Sequence, residues 1–258
     1  MRRWAKLALV VWALGLTACA SHTTETSSID VVTPSDEPTA HRRARLRVEL
    51  ASAYLQRGQA DVALDEAKQS LHALATYAPA HQVKGLAYMA LGQPVLAKRS
   101  FDEALQLAPD DADLLHNMGW WYCGQGDYAA ADGWFDRALK QGAGARTWLG
   151  KALCAQRGQN PQAAAYFAQA YALSPSDPQV VLGWAEYAWG HNDGERVHAV
   201  LAPFNDTAAA TASSLWLHAK ALHRLGDTAL AERAGQRLKA SFPNSPQAQA
   251  FERKLWNE

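Results

Sequence analysis

Tyr54, Tyr88 and Tyr122 lie 34 residues apart, and so do Gly58, Gly92 and Gly126, Ala63, Ala97 and Ala131, and Leu71, Leu105 and Leu139. A second series runs through Gly158, Asn192 and Gly226 and through Ala163, Val197 and Ala231, joined to the first by a single step of 32 between Gly126 and Gly158. Self-similarity at this interval excludes a single closed core. Each unit is one supersecondary element too small to bury its own apolar face, so neighbouring units must stack to cover it.

The recurring positions have mechanical meanings. Gly58, Gly92, Gly126, Gly158 and Gly226 suit the end of a helix, where the chain needs a left-handed residue to turn back, and Asn192 is the usual substitute. Ala63, Ala97, Ala131, Ala163 and Ala231 are small where a second helix crosses the first, with Gly85 and Gly119 as the matching small surface. Phe101, Phe135 and Phe167 then fill the space between units, and Pro109, Pro175 and Pro243 end the second helices. The pattern is that of the tetratricopeptide repeat (TPR). It predicts an all-α right-handed superhelix of six helical hairpins at 44–77, 78–111, 112–143, 144–177, 178–211 and 212–245, the first helices lining its concave face. Repeats one, five and six are degenerate. Pro203 is expected to kink or cut short the second helix of repeat five, 205–214 (NDTAAATASS) to be a loose connector, and 247–256 (QAQAFERKLW) to be a capping helix.

Ahead of the repeats, residues 1–18 carry Arg2, Arg3 and Lys6, no acidic residue, and the apolar run Leu7 to Leu16. That run is too short to cross a bilayer core, which takes about 20 residues, and reads as a secretory signal. Leu16, Thr17, Ala18 and Cys19 resemble a bacterial lipobox, which makes Cys19 the expected lipidated first residue of the mature protein. Ala20 after it favours sorting to the outer membrane, by resemblance to the enterobacterial rule. Residues 19–41, rich in Ser, Thr, Asp and Pro, then form a flexible tether, and 42–258 the folded body. Loss of Arg2, Arg3 and Lys6 with the signal leaves 22 basic residues against 25 acidic ones, a balance that does not point to nucleic acid.

Catalytic signatures are absent. No GxSxG, Walker A, HExxH or GxGxxG motif occurs, and Gly124-Gln125-Gly126-Asp127 is better read as the turn of repeat three than as a phosphate loop. The nine histidines form no i, i+4 ligand pair; His191 and His198, and His218 and His223, are seven and five apart. No enzyme, metal or cofactor is expected. Cys123 and Cys154 fall near the ends of the first helices of adjacent repeats, where they either bridge, as an oxidising compartment permits, or pack as two buried thiols.

A partner is expected on the concave face. Reading the usual groove positions of the first helices gives Gln82, Leu86 and Met89 in repeat two, His116 and Trp120 in repeat three, and Trp148 in repeat four. The mixture of apolar and amide side chains, without a run of Lys or Arg, suits an apolar peptide or strand better than an acidic tail. Of the adjacent Trp120 and Trp121, one should face the core and the other the groove, since helix neighbours point about 100° apart.

The stretches NMGWWYCGQGDYAAADGWFDRAL (117–139), ALCAQRGQNPQAAAYFAQAYALSP (152–175) and SLWLHAKALHRLGD (214–227), together with SFPNSPQAQA (241–250), resemble the PilF/PilW family of type IV pilus lipoproteins. The resemblance covers about residues 42–250. It implies a pilotin: an outer-membrane lipoprotein on the periplasmic face that is carried by the lipoprotein-sorting machinery. Such a protein binds subunits of the pilus secretin and promotes their localisation and multimerisation. It also places the paired cysteines that some members bridge on Cys123 and Cys154. The connector KQGAGART (140–147) is shorter than the family's usual proline-containing loop. A general periplasmic TPR adaptor that recruits a protease or cell-wall enzyme is the alternative, with a subunit of the outer-membrane barrel assembly machine behind it.

Overall fold

A computed structural model of the chain describes residues 38–256; Cys19, the expected signal and nearly all of the expected tether lie outside them. The described residues form thirteen α-helices and no strand. They run as six antiparallel hairpins: α1 (Thr39–Gln56) with α2 (Ala60–Ala73), α3 (Ala78–Ala90) with α4 (Pro94–Leu107), α5 (Ala112–Gly124) with α6 (Tyr128–Lys140), α7 (Ala145–Arg157) with α8 (Ala163–Leu173), α9 (Pro178–Gly190) with α10 (Gly194–Asn205), and α11 (Ala212–Arg224) with α12 (Thr228–Ser241). A single helix, α13 (Pro246–Glu252), follows. Successive hairpins stack in the superhelical manner of tetratricopeptide repeats. No helix among the described residues is long and apolar enough to cross a membrane.

Short polar residues start the helices. The carboxylates of Asp111, Asp127, Asp193 and Asp227 each accept from the backbone N–H three residues on, at 2.8–3.0 Å, which satisfies one of the otherwise unpaired amides of a first turn. Second helices α4, α8 and α12 stop at Leu107, Leu173 and Ser241, two residues before Pro109, Pro175 and Pro243, because a residue preceding proline is pushed out of helical geometry.

The core is built from alternating small and large side chains. Ala63, Ala97, Ala131, Ala163, Val197 and Ala231 are buried at the hairpin crossings, and Phe101, Phe135, Phe167 and Leu201 fill the spaces between them. In repeat six the large position is Gly235. The gap is filled from α13, whose Phe251 ring sits where a Cβ on Gly235 would have to go. That substitution of source explains why a helix of only seven residues closes this end of the stack.

Three expectations need correction. Gly158 is not the left-handed residue of repeat four: its φ is −80°, and Gln159 takes that role at 54°. Gly126, Gln159 and Asn192 are the left-handed residues between the two helices of repeats three, four and five, so the first helices there advance by two steps of 33, while second-helix positions such as Ala131, Ala163 and Val197 keep the steps of 32 and 34. Gly158 is needed for space instead, since a Cβ on it would fall 2.8 Å from Cγ of Tyr128. Pro203 falls where expected, in the last turn of α10, and the helix does stop early: it ends at Asn205, four residues past Leu201, where α4, α8 and α12 run six residues past Phe101, Phe167 and Gly235. The connector that follows is tied down rather than loose. Thr207 Oγ1 donates to the Phe204 carbonyl at 2.7 Å, and Thr211 and Ser214 cap α11 reciprocally. The last helix begins at Pro246 and stops at Glu252, after which Lys254 turns left-handed, φ 56°. This brings Trp256 back to stack on His223 and Trp216, centroids 4.4 and 5.3 Å away.

Candidate interaction groove

Three consecutive first helices, α5, α7 and α9, form a hollow of about 400 Å³. Trp120 supplies one wall from α5. Leu149 and Leu153 come from α7 and Leu182 from α9, while Arg146, Gln179 and Glu186 put polar groups on its rim. Gly150 and Gly183, on the same helix faces, let neighbouring first helices approach closely: a Cβ on Gly150 would lie 3.1 Å from His116 and 3.3 Å from Trp120, and one on Gly183 would lie 3.1 Å from Leu149. The apolar floor thus comes from Leu149 and Leu182 at one helical position and Leu153 a turn further on, and the depth from the glycines beside them.

The Trp120 ring packs edge-on to Phe135, centroids 6.3 Å apart, and the Arg157 guanidinium lies 5.4 Å from its centroid. Trp121 points the other way. Its Nε1 donates to the Pro94 carbonyl at 2.8 Å, and its ring packs on the core around Phe101 and Met118.

The sequence-predicted groove residues divide. Trp120 is in the hollow. Leu86 and Met89, with Gln82 on the same helix, are half-buried on α3, and the two apolar ones pack on the Phe101 core; none of the three lines this hollow. His116 is 1% exposed and turned inward, with Nδ1 3.0 Å from Thr147 Oγ1 and its ring edge-on to Phe135. Burial first, and the Arg146 charge second, push its pKa down to about 3. The imidazole is a neutral core group, so its assignment to the groove is corrected: α7, brought close by Gly150, covers it.

Trp148 is corrected too. It packs on Tyr166 of α8, centroids 5.8 Å apart, and beside Lys151. Lys151, 4% exposed, pairs with Asp136 and lies 3.3 Å from Asp132. The reason is register: with the first helices of repeats three and four starting at Ala112 and Ala145, the residue equivalent to His116 is Leu149, and the one equivalent to Trp120 is Leu153. Leu149, Leu153 and Leu182 are the groove residues that the repeat arithmetic missed, and counting 33 from Trp120 finds Leu153 and Glu186.

Cys123 and Cys154 are joined as a disulfide, Cα atoms 5.7 Å apart, which fastens the end of α5 to that of α7. Among the described residues no three His, Cys, Asp or Glu side chains converge to hold a metal. The arrangement offers shape, apolar area and rim charges.

Comparison with known proteins bears on the fold. The family model described as tetratricopeptide repeat matches residues 88–154. No curated protein matches the chain. The fold is similar to that of PilF of Pseudomonas aeruginosa, at 22% identity and a TM-score of 0.63, covering 84% of this chain and 100% of that one. It is also similar to that of PilW, described as a widely conserved type IV pilus biogenesis factor, at 24% identity and a TM-score of 0.66, covering 81% of this chain and 97% of that one. A thermophilic TPR protein of Thermus thermophilus follows at 18% identity and a TM-score of 0.60, covering 69% of this chain and 98% of that one. At these identities the likeness is one of fold: residues 38–256 make a tetratricopeptide-repeat solenoid whose architecture spans nearly the whole of PilF and of PilW.

Proposed function

We propose that this protein is a pilotin for type IV pilus biogenesis: an outer-membrane lipoprotein, anchored through Cys19, that holds a segment of the pilus secretin subunit on its concave face and promotes the subunit's localisation and multimerisation. The observation that carries this reading is the hollow between α5, α7 and α9. Its leucine and tryptophan floor and its rim of Arg146, Gln179 and Glu186 suit a segment with one apolar face and mixed polar edges, the helix-in-groove and strand-in-groove modes of peptide capture. The likeness in fold to PilF and PilW supports the choice of client.

The mechanism needs no turnover. Lipid on Cys19 partitions into the bilayer at roughly 0.8 kcal/mol per buried CH₂, and the segment between Cys19 and the start of α1 at Thr39 gives the body reach. Linking the client-holding groove to the membrane raises the client's local concentration there, which favours ring closure by mass action.

The test is deletion of the gene followed by detection of secretin multimers in outer-membrane fractions. The expected result is their loss, with monomer accumulating elsewhere and other envelope proteins unchanged. Normal multimers and normal twitching would reject the reading in favour of a general envelope adaptor. Labelling with a fatty-acid analogue in the wild type but not in Cys19→Ser checks the anchor.

A further inference from the structure

Between α10, α11 and α12 lies a second cavity, of about 340 Å³, that shares no residue with the Trp120 hollow. Its inner wall is apolar, from Leu215, Leu222 and Ala202, and its mouth is basic, from Arg233 and Arg237. Two histidines, His198 and His218, complete it.

A buried hydrogen-bond network fixes what those histidines present. The Ser214 carbonyl can only accept, so the group of Asn205 facing it at 3.3 Å is the amide Nδ2, while Ser214 Oγ donates to Asn205 Oδ1 at 2.6 Å. The same Nδ2 lies 3.3 Å from Nδ1 of His218, which must therefore accept. A neutral His218 then carries its proton on Nε2 and donates it to Nδ1 of His198, 2.8 Å away. The ring centroids are 5.1 Å apart, as expected for rings joined tip to tip by such a bond rather than stacked face to face. His198, its Nδ1 used as an acceptor, is left with an Nε2–H that has no acceptor among the described residues.

The cavity therefore offers a fixed N–H donor and two guanidinium groups around an apolar wall. Arg233 has no carboxylate within ion-pair range among the described residues. Arg237 reaches only Asp206, at 3.7 Å across an exposed gap, a weak pairing. Asp206 is the one carboxylate in the lining. We propose that this cavity binds a small monocarboxylate with an apolar body, the carboxylate on Arg233 and the His198 N–H and the hydrocarbon against Leu215 and Leu222. Bidentate guanidinium–carboxylate pairing and a volume within the range of small-molecule sites match that chemistry. The proposal is independent of the pilotin reading, since neither the groove nor the anchor takes part.

The experiment is titration calorimetry of sodium octanoate into the full-length Cys19→Ser protein, prepared without detergent, with amide NMR shifts recorded alongside. Saturable one-site binding is expected, with shifts confined to α10, α11 and α12, weakened about tenfold or more by Arg233→Gln. That substitution is at an exposed helix position and leaves the core untouched. Ala202→Leu, which fills the cavity from its wall, should abolish binding while leaving the helical content unchanged. Octylamine and 1-octanol, matched in length, should not compete. N-acetyl-leucine binding more tightly than octanoate would identify a peptide C-terminus as the source of the carboxylate, and the reverse order a fatty acid. Absence of saturable octanoate binding, equal binding of 1-octanol, or an unchanged affinity in both variants would overturn the proposal.

Discussion

The ring of Phe135 occupies the place where a side chain on Gly119 would have to go: a Cβ there would fall 2.7 Å from both Cδ1 and Cε1 of that ring. Phe135 is wholly buried and has no room to retreat. Gly119→Ala should therefore destabilise the protein by about 1–3 kcal/mol through overpacking, less about 0.5–1 kcal/mol of helix-propensity gain. Gly133→Ala, in the exposed middle of α6 with nothing within 4 Å of its Cβ position, should show the gain alone. Urea unfolding midpoints of the two variants should move in opposite directions.

The bond between Cys123 and Cys154 closes a loop over a sequence separation of 31. A cross-link of this span restricts the unfolded chain and contributes about 2–4 kcal/mol. The double variant Cys123→Ala, Cys154→Ala should lose about that much. Reductant should lower the melting temperature of the wild type and leave the variant's unchanged, as read by circular dichroism.

Acid should weaken this fold in a defined window. His116 is held down to about 3 by burial and then by Arg146. His218 is held down to about 4 by burial and then by His198, with Asp206 opposing. Arg233 and Arg237 of α12 line the same cavity as His218. The unfolded chain takes up these protons near pH 6.5, so the folded state, which binds fewer, loses stability as pH falls from about 6.5 towards 4. Each histidine adds a slope approaching 1.4 kcal/mol per pH unit. His218→Gln should flatten the slope by one proton, whatever its effect on stability at neutral pH, as measured by urea titrations across that range.

Groove and core tryptophans should separate by assay. Trp120→Ala and Leu153→Ala should reduce capture of a client segment by about tenfold or more at a central anchor. Trp148→Ala should do the reverse, lowering stability by about 1–3 kcal/mol through its lost contacts with Tyr166 and Lys151 and leaving capture intact. Pull-down with purified variants, read beside thermal melts, distinguishes the two.

Much of this architecture was legible because repeat positions are dictated by local sterics. A left-handed turn selects Gly58, Gly92 and Gly126, and a close helix crossing selects Ala63, Ala97 and Ala131, whatever the rest of the chain does. The site was less legible because one residue of register separates a groove position from a core one. Gly158 occupies a turn and so passed for the left-handed residue, yet its constraint comes from Tyr128, 30 positions earlier and invisible to periodicity. That displacement put Trp148 where Leu149 belongs. The Asn205–Ser214–His218 network was hidden for a related reason, since in sequence it reads as a polar, small-residue connector. Only tertiary packing shows that Asn205 is buried and bonded on both sides.

Because each hairpin leans only on those beside it, loss of order in such a stack travels inward from whichever end frays first. The sulfur bridge sits at the joint between the third and fourth units. It acts as a firebreak: peeling from either terminus must halt there, so that α5 and α7, and the hollow they share, outlast their surroundings under stress.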